Sequence, residues 1–214
     1  MVAIALFFGG RIVTSDINRQ VDQLLKIKEK NPDITFFVSL NKEVDNVAHT
    51  KEFCERLNIQ DECVQVHETR EPESLYKYTH GTPSYQRTYS MFFHNKMCME
   101  SIKRYQEKYN KKFDIIVKYR ADLTADTPLS FEEYKLPLQN NNVYIPSDFD
   151  WGGVNDQVAF GNEQSMERYC SCVDNLQKMC ESNIYYHPET LLRKHLELSR
   201  MLTNRFEFRY RIFR

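Results

Sequence analysis

The sequence predicts an α/β fold, a single Rossmann-like domain whose mostly parallel central sheet of about six strands is flanked by helices. Three observations lead there. Continuous apolar runs at Val2–Phe8, Ile34–Leu40 and Phe113–Val117 have the length and β-branched content of strands buried on both faces. Segments of helical period lie between them, and a β-α-β-α-β order argues for parallel strands joined by right-handed crossovers. Polar residues also cluster just after the apolar runs, at the carboxyl edge where open α/β sheets bind ligands.

Taken in order, Val2–Phe8 is the first strand, and Gly9-Gly10-Arg11 turns out of it. It is short, lacks a basic leader and a small-residue cleavage site, and so is not a signal peptide. Ser15 or Asp16 caps a helix with Ile17, Val21, Leu24 and Leu25 on one side, and Asn31-Pro32-Asp33 stops it. After the strand Ile34–Leu40 come a polar loop, a short helix through Phe53 and Leu57, and a third strand at Cys63–Val66. His67–Pro83 is a long polar loop, a type that more often serves function than mere connection. Ser84–Asn110 is one long helix with Tyr85, Tyr89, Phe92, Phe93, Ile102 and Tyr105 on its sheet face. His94, Asn95 and Lys96 read as solvated, and Arg87 lies in the first turn near the ligand edge.

Beyond the strand at Phe113–Val117, Thr127–Asn142 is a loop or short helix, and Val143–Pro146 is a strand that Pro146 ends or confines to an edge. A second polar concentration, Ser147–Gln157, precedes the strand Val158–Phe160. The stripe Met166, Tyr169, Cys170, Val173, Leu176, Cys180 is a core-facing helix. His187-Pro188-Glu189 opens another helix, with Pro188 at a favourable first position, and Phe206–Phe213 alternates as a half-exposed final strand. One domain over residues 1–214 is the expectation, the N-terminal part of a longer protein because no polar tail follows that strand.

The net charge of −1 gives no global attraction to nucleic acid or membrane, and no run reaches transmembrane length, so a soluble cytoplasmic chain is expected. The six cysteines form no C-x-x-C pair and read as buried free thiols. A zinc site from Cys170, Cys172, Cys180 and His187 is disfavoured, since residues two apart on a helix point away from each other.

Three polar clusters converge on one sheet edge: Phe8–Arg11, Arg120–Asp126 and Ser147–Asp156. Gly9 and Gly10 allow close backbone approach, and Arg11 can meet a phosphate bidentately; there is neither a P-loop nor G-x-G-x-x-G. Arg120 and Asp122 either serve a ligand or simply pair at a solvated strand end. Asp122, with Asp126 or with Asp148 and Asp150, offers oxygen ligands to Mg²⁺ or Mn²⁺ alongside substrate phosphates. Trp151 and Gly152, with Gly153, form an aromatic wall for a sugar or base. Asp156 is placed to address a reacting carbon or an acceptor hydroxyl. The chemistry that fits a nucleoside diphosphate beside an acidic pocket is glycosyl transfer.

The segments IALFFGGRI, SYQRTYSMFFHNK, DIIVKYRADL and VYIPSDFDWGGVNDQVAFG resemble the glycosyltransferase domains of chlorella-virus capsid-glycosylating enzymes and their relatives, over essentially the whole chain. The resemblance implies a GT-A type fold, a UDP-sugar donor, a manganese-type metal and a glycan acceptor on a viral capsid protein in the host cytoplasm. GT-A enzymes carry Asp-x-Asp after the central strand, where this chain reads Arg120-Ala121-Asp122. The resemblance leaves Asp122 as the metal candidate, with the second ligand open and Asp126 the residue expected there, and it supports Arg87 as a donor contact. Phe8, Gly9, Gly10, Arg11, Arg120, Trp151 and Gly152 complete the expected donor site. Asn155-Asp156-Gln157 is similar to the Asp-Gln element of retaining GT-A families, with Asp156 near the anomeric carbon and Asp148 and Asp150 as companion carboxylates. His187 is a late metal or phosphate ligand or a helix cap. The competing readings are a sugar-nucleotide pyrophosphorylase, which wants more glycine and lysine after the first strand, and a carbohydrate-binding module on a decayed transferase fold.

Overall fold

The computed structural model describes residues 2–9, 17–42, 47–79, 83–134 and 138–212. Apolar strands at Ile4–Gly9 (β1), Ile34–Asn41 (β2), Val64–His67 (β3) and Ile115–Tyr119 (β4) are mutually parallel, side by side as β3-β2-β1-β4. Leu123–Ala125 (β5) leaves this sheet. Asn142–Pro146 (β6) and Val158–Gly161 (β7) rejoin it, and Leu202–Phe206 (β8) closes the order β3-β2-β1-β4-β7-β6-β8. Tyr210–Ile212 (β9) pairs with β5 in a separate two-stranded ribbon.

The seven-stranded sheet is thus one strand wider than expected, and β7 runs antiparallel to both of its neighbours. β6 ends at Pro146 as predicted. It lies inside the sheet, however, because β8 pairs with it in parallel register, Pro146 opposite Phe206. The alternating C-terminal stretch divides between β8 and β9, since the chain crosses from one sheet to the other after Phe206.

Side-chain alternation splits the core in two. Ile4, Leu6 and Phe8 face a layer with helix α1 (Ile17–Lys30) and helix α2 (Val47–Leu57). Ala5 and Phe7 face the other side, beneath helix α3 (Glu73–Thr79), α4 (Pro83–Tyr109), α5 (Glu163–Cys170), α6 (Cys172–Glu181) and α7 (Pro188–Leu198). α1 buries Val21, Leu24 and Ile27 at helical spacing; at its end Asn31 donates to the carbonyls of Ile27 and Leu129, 2.8 Å each, tying in the loop before β6. α3 falls inside the segment expected to be all loop. The stripe Met166–Cys180 is broken at Ser171 into α5 and α6, Ser171 closing α5 with bonds to Arg168 and Glu167. All six cysteines are free and buried, as read. No helix among the described residues is long and apolar enough to cross a membrane.

Topology places the site. The carboxyl ends of β1 to β4 and β6 and the amino end of antiparallel β7 all lie on one edge, so the segments around 118–122 and 147–157 meet there.

Candidate active site

Alternation turns Lys118 of β4 toward the helix-covered face shared with Ile116, so it is buried. Its ammonium donates to the carbonyl oxygens of Asp156 and Gln157, the latter at 3.0 Å. Burial pulls its pKa down to about 8, partly opposed by the charge of Asp156. One residue past β4, the Arg120 amide donates to the Gln157 carbonyl at 3.1 Å. Its guanidinium grips Asp122 in a fork, Nε to Oδ1 at 2.5 Å and Nη2 to Oδ2 at 2.8 Å. The Asp122 side chain is 7% exposed and that of Arg120 42%.

Asn155 organises the second strand end. Its side chain donates to the Asp148 carbonyl and to the Tyr210 hydroxyl, each at 2.6 Å, and accepts from the Gln157 amide at 2.8 Å. Its own amide donates to the Asp150 carboxylate at 2.9 Å, which Arg205 also binds with two bonds of 2.9 and 2.8 Å. The loop so pinned holds Phe149 and Trp151 at left-handed φ values of 63° and 42°, with Gly152 at 83°, and it leaves Trp151 exposed. Non-glycine residues at positive φ cost energy that the surrounding bonds must offset.

The start of α7 completes this side. The Val154 amide donates to the Glu189 carbonyl at 3.1 Å. A Cβ at Gly153 would lie 2.0 Å from the Glu189 carbonyl carbon and oxygen, so only glycine fits. This contact buries Glu189, whose pKa burial raises to about 7, with the charge of Asp156 adding to the rise. Glu189 Oε2 makes no hydrogen bond, although His187 Nδ1 lies 2.9 Å away in poor alignment. His187 occupies the N-cap position of α7 without a side-chain cap bond and stacks on Tyr185.

Beside β1 and β2 the edge is neutral. His94 of α4 is fully buried between two hydroxyls, Ser39 Oγ on Nδ1 and Thr69 Oγ1 on Nε2, both at 2.8 Å. Burial, with a small contribution from His67, lowers its pKa to about 4. A Cβ at Gly9 would come 2.7 Å from Asn95 Oδ1, itself a buried oxygen without a hydrogen bond. Gln157 Oε1 and the Tyr119 hydroxyl are likewise buried and unbonded.

Of the predicted residues, the structure brings together Arg120, Asp122, Asp148, Asp150, Asp156, Trp151 and Gly152 at one side of this edge, and Gly9 at the other. Phe8 is not presented to a ligand: its ring packs in the core against Phe36 and Phe53. Arg87 is exposed on α4, and Asp126 is exposed beyond β5. Gly10 and Arg11 lie outside the described residues, as does the cap at Ser15 or Asp16. His94 and Asn95, expected on a solvated face, are buried; Lys96 is half-buried and pairs with Asp174 at 2.7 Å. Lys118, Glu189 and Tyr210 were not singled out as site residues by sequence.

Both oxygens of Asp122 accept from Arg120, and the described residues contain no group of three His, Cys, Asp or Glu side chains able to hold a metal.

Among solved structures, the chain matches the apo WbbM bifunctional glycosyltransferase with TM-score 0.53 at 12% identity, over 95% of this chain and 38% of that one. It matches the galactosyltransferase LgtC, solved with donor and acceptor sugar analogs, with TM-score 0.51 at 12% identity, over 90% and 70%. Mouse xyloside xylosyltransferase 1, apo form, aligns over 96% and 84% with TM-score 0.49 at 10% identity. The WbbM and LgtC matches show the fold, that of the GT-A type glycosyltransferases. No curated protein sequence matches the chain. A family model matches residues 14–213, nearly the whole length, and the chain belongs to that family, described as "Domain of unknown function (DUF7796)".

Proposed function

We propose that the protein is a glycosyltransferase that moves a sugar from a UDP-sugar to a hydroxyl of a glycan acceptor, with retention at the anomeric carbon. The observation that carries this reading is Asp156. It is a buried carboxylate at the ligand edge of a GT-A sheet, next to the cations Lys118 and Arg120 and to a second buried carboxylate, Glu189. A buried carboxylate in a cleft beside groups whose proton affinity burial shifts is a candidate reaction centre with a physical rationale.

In this reading the bond from the anomeric carbon to the diphosphate breaks, and its electron pair stays on the phosphate oxygen. The acceptor oxygen bonds to the carbon, and its proton passes to the departing diphosphate. Asp156 stabilises the positive charge that builds on the sugar. Lys118, fixed under the Asp156 and Gln157 carbonyls, holds that segment against β4. Trp151, exposed beside this edge, offers a face for the acceptor ring. Retention follows the similarity of Asn155-Asp156-Gln157 to retaining enzymes, and a viral capsid glycoprotein as acceptor follows the sequence resemblance.

The test is calorimetric titration of UDP followed by a screen of UDP-sugars for UDP release. Saturable UDP binding with release from one donor is expected. Sugar binding without any nucleotide binding would replace this reading with a carbohydrate-binding module.

A further inference from the structure

Resting on the donor assignment above, we infer that Arg120, locked in place by Asp122, supplies the positive charge at the donor diphosphate, so that donor binding needs no divalent cation. Asp122 is then a positioning residue for Arg120.

A divalent ion needs carboxylate oxygens that are free to turn toward it. Asp122, the one acidic residue of Arg120-Ala121-Asp122, is 7% exposed and has both oxygens in the guanidinium fork. An ion approaching it would have to displace Arg120 and then sit beside two cations, Arg120 and Lys118. Asp150 is no substitute, because Arg205 binds both of its oxygens.

Arg120 has the opposite properties. The fork to Asp122 uses Nε and Nη2 only, and a guanidinium carries five N–H donors. Nη1 and the second Nη2 hydrogen stay available on a side chain that is 42% exposed, whereas its anchor is buried. A planar, permanently charged fork with free donors suits a phosphate. Its place is also right: one residue beyond β4, bonded through its backbone to Gln157, and close enough to feel the charge of Asp156. The departing phosphate oxygen and the anomeric carbon would lie side by side over Arg120 and Asp156. As the carbon–oxygen bond breaks, the phosphate oxygen gains charge and its bonds from Arg120 strengthen. Arg120 keeps its protons throughout, and the acceptor proton leaves with the diphosphate, so no co-reactant is needed.

The experiment is calorimetric titration of UDP into the whole chain in EDTA and in Mn²⁺, for the wild type, Arg120→Ala, Arg120→Lys and Asp122→Asn. Equal wild-type affinity in both buffers, within about twofold, is expected. Arg120→Ala should weaken UDP about a hundredfold, the loss of charged hydrogen bonds, and Arg120→Lys about tenfold. Asp122→Asn should raise the donor KM about tenfold in EDTA and in Mn²⁺ alike, with kcat nearly kept, which a metal ligand would not do. UDP binding that EDTA abolishes overturns the inference and leaves the transferase reading standing. If neither UDP nor GDP nor CDP binds in either buffer, both fall. Circular dichroism checks that each variant is folded, and should Arg120→Ala misfold, Arg120→Lys and the wild-type comparison still decide.

Discussion

Beside β1 and β2 the ligand edge buries neutral groups, whereas beside β4 and β7 it buries ionisable ones. His94 lies fully buried with both ring nitrogens on hydroxyls. Lys118, Asp156 and Glu189 are buried too, and burial shifts the proton affinity of Lys118 down and that of Glu189 up. Burying ionisable groups costs stability unless every partner is present. In the proposed reaction the chemistry falls to the shoulder beside β4 and β7.

The largest expected effect breaks the ionic shoulder. Asp156→Asn should lower the rate of sugar transfer about a thousandfold, within the range for a charged group acting on the transition state. UDP affinity should stay within about threefold, since Lys118 binds the backbone carbonyl of residue 156 and not its carboxylate. Release of UDP from the donor measures the first quantity and calorimetry the second. A rate within tenfold of wild type would move the reaction centre elsewhere.

How far this contrast could be read from sequence depends on where each partner comes from. Arg120, Asp122 and Asp156 were legible because each flanks a buried apolar run, and parallel topology forces such ends to one edge. Glu189 was not: Pro-Glu at a helix start reads as an ordinary acidic first turn, and its burial comes with the packing of the distant Gly153–Val154 segment against the start of α7. His94 was misread because its partners, Ser39 and Thr69, come from 55 and 25 residues away. The reversal of strand β7 has a sequence signature. The segment 147–157 contains no helix, and parallel neighbours need a crossover of about a dozen residues or more. β8 was missed because it is an edge strand with Leu202 and Thr203 exposed, so its pattern is not apolar.

The pH dependence of stability sharpens the comparison, because the two shoulders have opposite signs. His94 titrates near 4 when folded against 6.5 in the unfolded chain. Its contribution is full above pH 6.5 and is lost as pH falls toward 4, about 3 kcal/mol in all. Glu189 titrates near 7 when folded against 4.5 unfolded. Its contribution is full below pH 4.5 and is lost as pH rises through 7, again about 3 kcal/mol. Between pH 4.5 and 6.5 the slopes offset. Glu189→Gln should therefore make stability climb more steeply with pH there than in the wild type, and His94→Gln should make it fall. Urea midpoints across that range read both; slopes that match the wild type would show that these groups are not buried as described.

Two glycines probe the same contrast at smaller size. Gly153→Ala forces a Cβ onto backbone atoms of α7 and should cost about 3 kcal/mol, the upper end for overpacking. Gly9→Ala presses mainly on the Asn95 side-chain oxygen, with backbone atoms at 3.0 and 3.1 Å, and should cost about 1 kcal/mol. Thermal unfolding ranks them. The reverse order would mean that the neutral shoulder is the more rigid one.

The smallest effect on stability is expected at Trp151, and there the function of the ionic shoulder's outer wall can be isolated. The ring is 67% exposed, so Trp151→Ala removes little packing and should change stability by no more than about 0.5 kcal/mol. Its backbone, however, sits at φ 42°, where a side chain costs about 1 kcal/mol that glycine does not incur. Trp151→Gly should therefore be at least as stable as Trp151→Ala despite its looser unfolded chain. Both should raise the acceptor KM about tenfold, the upper end of an aromatic stacking contact, with the donor KM unchanged. A strained residue that can be relieved without loss of stability, yet only at the expense of acceptor binding, is held strained by its ligand's requirement. If both variants bind acceptor as the wild type does, the ring stands clear of the acceptor path and the strain belongs to the Asp150–Arg205 clamp alone.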